Sequence, residues 1–415
     1  MATKNSAQAQ RIETDIRKMA TFSTVPGPGV TRFSYTPEHA AARDHIIALM
    51  RSAGLEVRED ALGNITGRRE GTEPTLPAIA AGSHFDSVRN GGMFDGTAGV
   101  ICALEAARTL NDLGYRNRHP FEIIAIVEEE GSRFHSGMLG GRALAGLLSD
   151  EDLDSLRDDA GMSVRKAASD FGLHPENLKA TSRSKDNLRT FIELHIEQGP
   201  MLEKECVEIG VVTSIVGIRP LRVTVMGRSD HAGTTPMHMR QDALVPAAIM
   251  VTQINHLVAQ LLDSTVGTVG HLNVAPGGSN QVPGRVEFTV DLRSPDSKSL
   301  ARAYKEIMRM INDEAVRGGV AVSIEERLCL GPVHLASAVV DVVREAATEL
   351  GLSHRDMPSG AGHDSMFIAQ VTDVGMIFVP SRGGRSHVPE EWTDFDDLRK
   401  GTDVMVRVLQ DLDWG

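Results

Sequence analysis

The chain has 415 residues, of which 41% are hydrophobic, and it carries a formal net charge of −13 at pH 7. This composition provides apolar material for more than one core, and the negative charge without any basic run argues against a nucleic-acid partner. No apolar stretch approaches the roughly 20 residues of a membrane helix, and the N-terminus lacks a signal-peptide pattern, so we expect a cytoplasmic protein without a membrane partner.

Helices and strands alternate in the first half of the predicted fold. A helical period runs from Glu38 to Ala53 and ends at Gly54. Residues 76–82 (LPAIAAG) and 121–127 (FEIIAIV) are short, continuous apolar runs, which favour strands buried on both faces. A helical stretch, VICALEAARTL, lies between them. The sequence therefore predicts an α/β layer architecture.

A different pattern begins after about residue 212. The sequence then predicts a strand, a helix, two strands, a helix and a strand, in the segments RVTVMG, 242–262, GTVGHLNV, 285–294, SLARAYKEIMRMINDEAVRGG and VAVSIEERL. This β-α-β-β-α-β order is that of a ferredoxin-like unit. From about residue 333 the chain returns to helices and apolar strands. We therefore predict that residues 213–332 form a domain inserted into another, made of residues 1–212 and 333–415.

The three cysteines do not indicate a disulfide framework. Cys102, Cys206 and Cys329 are isolated, odd in number and without any CxxC spacing. We predict that they are buried free thiols and that none of them binds a metal.

Histidines and carboxylates follow the predicted strands, where ligands bind in open α/β sheets. They occur in four segments, SHFDSVRNGGMFDG, EEEGSRF, FIELHIEQGP and GGRSHVPEE. Imidazole and carboxylate ligands suit zinc and its neighbours, and a bridging carboxylate could hold two such ions ~3.5–4 Å apart. Two dications would also neutralise three consecutive glutamates. In the alternative interpretation, the acidic run is a solvated strand end and each histidine is merely hydrogen-bonded.

Six ordered motifs resemble a known family over essentially the whole chain. They are GSHFDSVRNGGMFDGTAGV, EEEGSRF, ELHIEQGP, HAGTTPM, SGAGHDSM and SHVPEE. They are similar to the amidohydrolase branch of the two-zinc aminoacylase and carboxypeptidase family, which includes N-carbamoyl-L-amino-acid hydrolases, allantoate amidohydrolases and β-ureidopropionases. The resemblance implies a zinc-peptidase-like catalytic domain with a mixed sheet, and an inserted ferredoxin-like α+β lid through which the chain forms a homodimer.

The resemblance also implies two divalent metal ions per chain, zinc first, with manganese, cobalt or nickel as alternatives. Asp95 would bridge the ions, His84 and Glu130 would bind different ions, and His195 and His387 would complete the two ligand sets.

Three further carboxylates lie beside these ligands in the sequence. The resemblance implies that Asp86 fixes the tautomer of the His84 imidazole and that Glu129 is the general base. It gives no role to Glu128, for which we predict a solvated strand end.

The remaining site residues are also assigned by the resemblance. His231 would reach the active site of a partner subunit and stabilise the oxyanion. Asn280 and Arg293 would clamp the substrate carboxylate, a role that suits the guanidinium fork. Gln198 would approach the scissile group. Gly360 would contact the substrate through its backbone, at a point where a side chain would block substrate binding.

The leading hypothesis is hydrolysis of the ureido C–N bond of N-carbamoyl-L-amino acids. Allantoate or a β-ureido acid is the close alternative. The chain departs from the allantoate hydrolases of this family, in which the resemblance implies Gln-Arg-Arg where this chain has Ile218-Arg219-Pro220, and the departure favours carbamoyl amino acids. A peptidase is a weaker alternative. A non-catalytic binding protein on the same scaffold is weaker still, because Glu129 and every ligand position are present.

Overall fold

The computed structural model describes residues 6–261, 264–326 and 329–414, so Leu262 of the predicted helix and Arg327 and Leu328 of the predicted strand lie outside the described residues. The described residues form two compact units. The first contains the residues up to Thr213, Leu335–Met357 and those from His363 onward. The second contains Ser214–His334 and Pro358–Gly362.

The strands are numbered in chain order. They are β1 Glu56–Glu59, β2 Ile65–Arg69, β3 Ala78–His84, β4 Phe121–Ile126, β5 Leu188–Ile196, β6 Ile209–Ile215, β7 Gly217–Met226, β8 Val266–Ala275, β9 Arg285–Ser294, β10 Ala321–Glu326, β11 Val333–His334, β12 His354–Ser359 and β13 Asp373–Val379.

The α-helices are numbered in the same way. They are α1 Ala9–Ala20, α2 Pro37–Ser52, α3 Thr97–Asp112, α4 Leu139–Leu144, α5 Asp150–Ser155, α6 Val164–Asp170, α7 Met201–Glu205, α8 Leu244–Ala259, α9 Ser297–Gly318, α10 Ser337–Glu349, α11 Ser365–Ile368 and α12 Phe395–Trp414. Short 3₁₀ helices span Pro175–Thr181, Met237–Met239 and Arg382–Gly384.

The first unit is built around a mixed sheet with the order β1-β2-β4-β3-β5-β13-β6. Its middle strands, β4, β3, β5 and β13, are parallel, whereas the pairs β1–β2, β2–β4 and β13–β6 are antiparallel. Every residue of β3 and β4 is buried, which is why these strands read as continuous apolar runs. The predicted α/β fold class is therefore confirmed.

The parallel strands place their carboxyl ends at one edge of the sheet. β3 ends at His84, β4 at Ile126, β5 at Ile196 and β13 at Val379. The four histidine- and carboxylate-containing segments of the sequence lie at the carboxyl ends of these four strands and in the loops that follow them. Strand direction therefore gathers residues that are up to about 300 positions apart.

The second unit is an antiparallel sheet covered by two helices. Its strand order is β10-β7-β9-β8, and its elements follow the predicted β-α-β-β-α-β order. Alternate residues of β9, namely Val286, Phe288, Val290 and Leu292, belong to one apolar core with residues of α8 and α9. This alternation is typical of a sheet with only one face buried.

The cysteine prediction is wrong for two of the three residues. Cys102 is buried in α3 as predicted, but Cys206 and Cys329 are exposed. Cys206 ends the short helix α7 in a left-handed conformation, with φ 55°, and Cys329 follows the edge strand β10. A turn and an edge strand leave such side chains in solvent. Within the described ranges, no helix has both the length and the apolar character that crossing a bilayer requires.

Candidate metal centre and active site

Asp95 lies at the centre of the five predicted metal ligands. Its Oδ1 is 3.5 Å from His84 Nε2 and 3.2 Å from His195 Nε2. Its Oδ2 is 3.1 Å from His387 Nε2, which is 3.7 Å from Glu130 Oε2. Within each of the two groups His84–Asp95–His195 and Asp95–Glu130–His387, the ligand atoms lie within 4.8 Å of one another. The two carboxylate oxygens of Asp95 therefore face different groups, here called the first and the second subsite.

Backbone geometry next to the ligands keeps this arrangement compact. His84 is the last residue of β3, and Asp95 precedes α3 by two residues. Between Asp95 and the helix, Gly96 has φ 60°, and a Cβ there would lie 2.3–2.4 Å from atoms of the His84 ring. Only glycine combines this conformation with so close an approach. His387 also adopts a left-handed conformation, with φ 60°.

The donor atoms fit divalent metal ions. His195 Nδ1 lies 2.9 Å from the Ile196 carbonyl oxygen, which leaves Nε2 for another partner. This buried Nε2 and the buried Oε1 of Glu130 have no hydrogen-bond partner among the residues that the structure describes. Buried polar atoms without partners are costly, and nitrogen and oxygen donors of this kind are those that zinc prefers.

The electrostatics of the cluster also favour a cation. Burial, followed by the negative charge of Asp95, raises the pKa of Glu130 to about 8. Burial raises the pKa of Glu129 well above its ordinary value, and the nearby Glu130 adds to the increase while His84 opposes it. Burial would raise the pKa of Asp95, but the imidazoles of His195, His387 and His84 beside it lower that pKa well below the usual range. Adjacent buried carboxylates repel one another, and bound dications would remove that repulsion.

Glu128 is not the solvated strand end that the sequence predicted. Glu128 is only 1% exposed, and its Oε1 accepts hydrogen bonds from the backbone N–H groups of Arg133 and Phe134, each at 3.3 Å. The prediction fails because the chain turns left-handed at Glu128, with φ 51°, directly after β4 and folds back over its own side chain. Burial, then the charge of Asp86, raises the pKa of Glu128 to about 7.

Asp86 connects the loop after β3 to the loop after β4. Its two carboxylate oxygens accept the backbone N–H groups of Glu129 and Glu130, each at 3.1 Å. Its Oδ1 lies 3.6 Å from His84 Nδ1, which is an ion-pair distance but too long for a hydrogen bond. Glu129 is buried, and its Oε2 lies 3.9 Å from His84 Nε2. His84, Glu129 and Glu130 thus form a third group with ligand geometry.

Gln198 lies beside Asp95. Its backbone is left-handed, with φ 58°, and its Nε2 donates to Asp95 Oδ2 at 2.8 Å. The same nitrogen lies 3.3 Å from Ser386 Oγ.

Other buried residues of the site were missed by sequence reasoning. Glu391 accepts the backbone N–H groups of Phe94 and Asp95, and Asp364 accepts that of Gly141. The ring of His363 packs edge-on against that of His195, with centroids 4.6 Å apart. Asp364 and His363 lie in SGAGHDSM and Glu391 in SHVPEE, so the motifs themselves contained the signal.

His231 and Asn280 belong to the second unit. The exposed His231 accepts the N–H groups of Gly233 and Thr234 at Nδ1, at 3.0 and 3.2 Å. Since Nδ1 is an acceptor, the neutral ring carries its proton on Nε2 and presents a donor there. The Asn280 backbone carbonyl oxygen accepts the N–H of Ala232, which brings Asn280 next to the His231 turn.

Arg293 and Gly360 also meet in the second unit. Arg293 Nε and Nη2 donate to the two carboxylate oxygens of Asp291 at 2.9 Å each, and its Nη1 donates to the Gly360 carbonyl oxygen at 3.1 Å. Asp291, Arg293 and Gly360 line a cavity of about 610 Å³ together with Pro220 and Thr268. The guanidinium of Arg293 is positively charged and therefore suits an anionic group bound in this cavity.

Comparisons with known proteins show what the chain as a whole is similar to. A model of the peptidase family M20/M25/M40 matches residues 75–411. The chain is 68% identical over 411 residues to the N-carbamoyl-L-amino-acid amidohydrolase of Paenarthrobacter aurescens, covering 99% of this chain and 100% of that protein. It is 39% identical over 408 residues to the N-carbamoyl-L-amino acid amidohydrolase of Geobacillus stearothermophilus, and the match covers 98% of this chain and 99% of that protein.

A solved structure, the hydantoinase/carbamoylase family amidase from Burkholderia multivorans, matches with a TM-score of 0.89 and 35% identity, covering 99% of this chain and 98% of that one. The resemblance predicted from the six motifs is confirmed. Because the family model spans most of its length, the chain belongs to the peptidase family M20/M25/M40.

Proposed function

We propose that the protein hydrolyses the ureido C–N bond of N-carbamoyl-L-amino acids, giving the amino acid, CO2 and ammonia. The observation that carries this proposal is the division of ligand atoms around Asp95, whose two oxygens face separate histidine-containing groups. The substrate class is taken from the N-carbamoyl-L-amino-acid amidohydrolase to which the chain is 68% identical.

Two divalent ions per chain are the proposed cofactors, with zinc first and manganese, cobalt or nickel as alternatives. His84, Asp95 and His195 would hold one ion, and Asp95, Glu130 and His387 the other. When bound, such ions polarise a carbonyl group and make a nearby water more acidic.

Glu129 is the proposed general base. Its carboxylate is buried beside the ligand groups, and its backbone N–H is held by Asp86. Glu129 takes a proton from the attacking water and delivers it to the nitrogen of the amino acid as the C–N bond breaks. The other product is carbamic acid, which decomposes to CO2 and ammonia.

Substrate recognition is assigned to residues of both units. Arg293 and Asn280 are proposed to bind the substrate carboxylate, and the Nε2–H of His231 to donate to the oxyanion in the active site of a partner subunit. Gln198 is proposed to contact the scissile group, and Gly360 to contribute backbone next to Arg293.

The proposed partner is a second copy of the chain, bound through the second unit. This unit exposes several large apolar side chains, with Met237 76% exposed; the others are Met226, Met239, Val245, Ile249, Val266, Leu272 and Val316. Its strand β8 is also an edge strand. Exposed apolar side chains and an unpaired strand edge are features of surfaces that other chains cover.

Ammonia release from a panel of ureido compounds tests the substrate. The full-length protein, loaded with zinc or manganese, should be fastest on one or more N-carbamoyl-L-amino acids, and their D-enantiomers serve as the matched control. Allantoate and β-ureidopropionate complete the panel. A higher kcat/KM on allantoate would replace the proposal with the close alternative, and no ammonia from any of these compounds would contradict the reaction itself.

A further inference from the structure

Glu391 is a buried carboxylate that joins two distant segments of the metal centre. It is 2% exposed, and its Oε1 accepts the backbone N–H groups of Phe94 and Asp95 at 3.0 Å each. Its Oε2 accepts the hydroxyl of Ser386 at 2.7 Å. Ser386 precedes His387, and its Oγ also lies 3.2 Å from Asp95 Oδ2. One side chain therefore fixes the backbone of the bridging carboxylate and the residue next to a histidine ligand.

The surroundings of Glu391 are shaped to hold this carboxylate. A Cβ at Gly92 would lie 2.1 Å from Glu391 Oε1 and 2.3 Å from its Cδ. The absence of a side chain at Gly92 therefore makes room for the Glu391 carboxylate. A buried carboxylate is costly unless hydrogen bonds compensate for the lost water. Three donors, two of them backbone N–H groups, provide that compensation here.

We propose that Glu391 is a positioning residue that assembles the second subsite, Asp95–Glu130–His387, by holding the Asp95 backbone and the loop of His387 in register. This inference rests on the proposed function, because it takes these residues as metal ligands. Two of the three second-subsite ligands, Asp95 and His387, belong to the segments that Glu391 joins. The first subsite shares only Asp95 with them, so loss of Glu391 affects it less.

Metal titration of the full-length protein tests this role directly. The metal-free protein is titrated with Zn²⁺ in competition with a chromophoric chelator, which gives two stepwise dissociation constants without an activity assay. His387→Ala identifies the step that belongs to the second subsite. Glu391→Ala should weaken that same step by about 10–100-fold, the usual effect of losing a residue that orients a metal ligand, and change the other step less.

Two further variants separate positioning from charge and from folding. Glu391→Gln keeps one oxygen that can accept both backbone N–H groups, so its dissociation constants should return close to those of the wild type. Gly92→Ala leaves Glu391 intact but displaces its carboxylate, so it should weaken the second step as Glu391→Ala does. The matched control is Glu390→Ala, which removes an exposed neighbour paired with Arg385 and should change neither constant.

The outcomes distinguish the inference from the proposed function. If the wild type binds two ions and Glu391→Ala weakens both steps equally or neither, the positioning role is wrong while the metal centre stands. If Glu391→Gln binds the second ion as weakly as Glu391→Ala does, metal affinity depends on the charge of Glu391 and not on its hydrogen bonds. This outcome also overturns the inference. A wild type that does not bind two ions contradicts the proposed function and this inference together. Circular dichroism and the thermal midpoint of each variant identify any that fail to fold, and Gly92→Ala then provides the decisive comparison.

Discussion

Three consecutive glutamates of this chain have three different environments. The carboxylate of Glu128 accepts hydrogen bonds from the backbone of the loop that follows it. The carboxylates of Glu129 and Glu130 instead lie near His84 and form with it a group with ligand geometry. The left-handed turn at Glu128 creates this division, because it reverses the chain directly after β4. Adjacent glutamates therefore differ in role: Glu128 stabilises a loop, whereas chemical roles are proposed for Glu129 and Glu130.

Replacing Glu129 by glutamine tests the proposed base. Glu129→Gln keeps the shape of the side chain but cannot take a proton, so turnover should fall roughly 10²–10⁴-fold while metal content stays near that of the wild type. Glu128→Gln is the matched control, because one amide oxygen can still accept the N–H groups of Arg133 and Phe134. Ammonia assays and elemental analysis measure both quantities. A dead Glu128→Gln beside an active Glu129→Gln would reverse the two assignments.

At the residue scale, the predictable part of the site lies at the carboxyl end of a strand or in the loop after it. His84 and His195 lie at the ends of β3 and β5, and Asp95 and Glu130 lie in the loops after β3 and β4, so residue type and position together indicated them. Glu391 could not be found in this way, because its partners Phe94 and Asp95 lie almost 300 positions earlier. The motif SHVPEE marked the segment that contains Glu391, but no local pattern encodes the contact itself. The catalytic and substrate-binding roles stay predictions.

At the element scale, apolar patterning predicted β3, β4 and β13 of the parallel sheet and the elements of the second unit, whereas β5 was not predicted as a strand. β3, β4 and β13 coincide with continuous apolar runs, and α9 has buried residues at helical spacing. The short helices α4, α5 and α6 were not predicted. They have only six or seven residues each, so no helical period extends over enough turns to be recognised.

One side chain of α2 makes the fold sensitive to acid. His39 is fully buried, its ring stacks on Phe85 with centroids 4.5 Å apart, and neither ring nitrogen has a hydrogen-bond partner in the described part of the chain. Burial lowers the pKa of His39 to about 3. Below pH ~6.5 the unfolded chain binds a proton there that the folded chain does not, so stability is lost as the pH falls from about 6.5 towards 3.

His39→Leu should reduce this loss of stability. Between pH 7 and pH 5 the protonation of His39 in the unfolded chain costs the wild type about 2 kcal/mol of folding free energy, and the variant avoids this contribution. Thermal midpoints at the two pH values, measured on metal-free protein, give the comparison. His174→Leu, which replaces an exposed histidine by the same residue, leucine, is the matched control for the substitution itself. An equal decrease in the wild type and His39→Leu would show that His39 does not take part.

At the scale of the whole molecule, the proposed metal centre depends on segments from almost the entire chain. Its ligands come from His84 to His387, and each subsite combines residues from at least two strand ends. The metals are therefore expected to bind only the folded protein and to stabilise it. This coupling gives a test that does not need a substrate.

Metal removal should change both activity and stability. Dialysis against a chelator is expected to abolish ammonia release and to lower the thermal midpoint, and zinc or manganese should restore both. Cys206→Ser is a suitable control, because this exposed thiol is not among the proposed ligands, and it should respond to chelation and to added metal as the wild type does. Full activity in a preparation that elemental analysis finds metal-free would contradict the proposed cofactors.

His231 tests the second unit, the dimer and the chemistry together. Its Nδ1 is committed to the N–H groups of Gly233 and Thr234, so Nε2–H is the donor available to a substrate. Losing one preorganised oxyanion donor typically costs ~10²–10³ in turnover. His231→Ala should therefore lose turnover on that order while keeping metal content and dimerisation. Arg293→Ala should act mainly on KM, because it removes binding that is present before the reaction begins.

Mixing two inactive variants then distinguishes action within a chain from action across the dimer. If His231 serves the partner's site, a heterodimer of His231→Ala and Glu129→Gln contains one site with an intact Glu129 and an intact His231. Statistical subunit exchange makes half of the dimers mixed, so activity should rise to about one quarter of the wild-type value. Mixing two batches of Glu129→Gln is the control and should recover nothing. If exchange is demonstrated by mass-labelled subunits and activity still does not rise, His231 acts within its own chain or has no catalytic role.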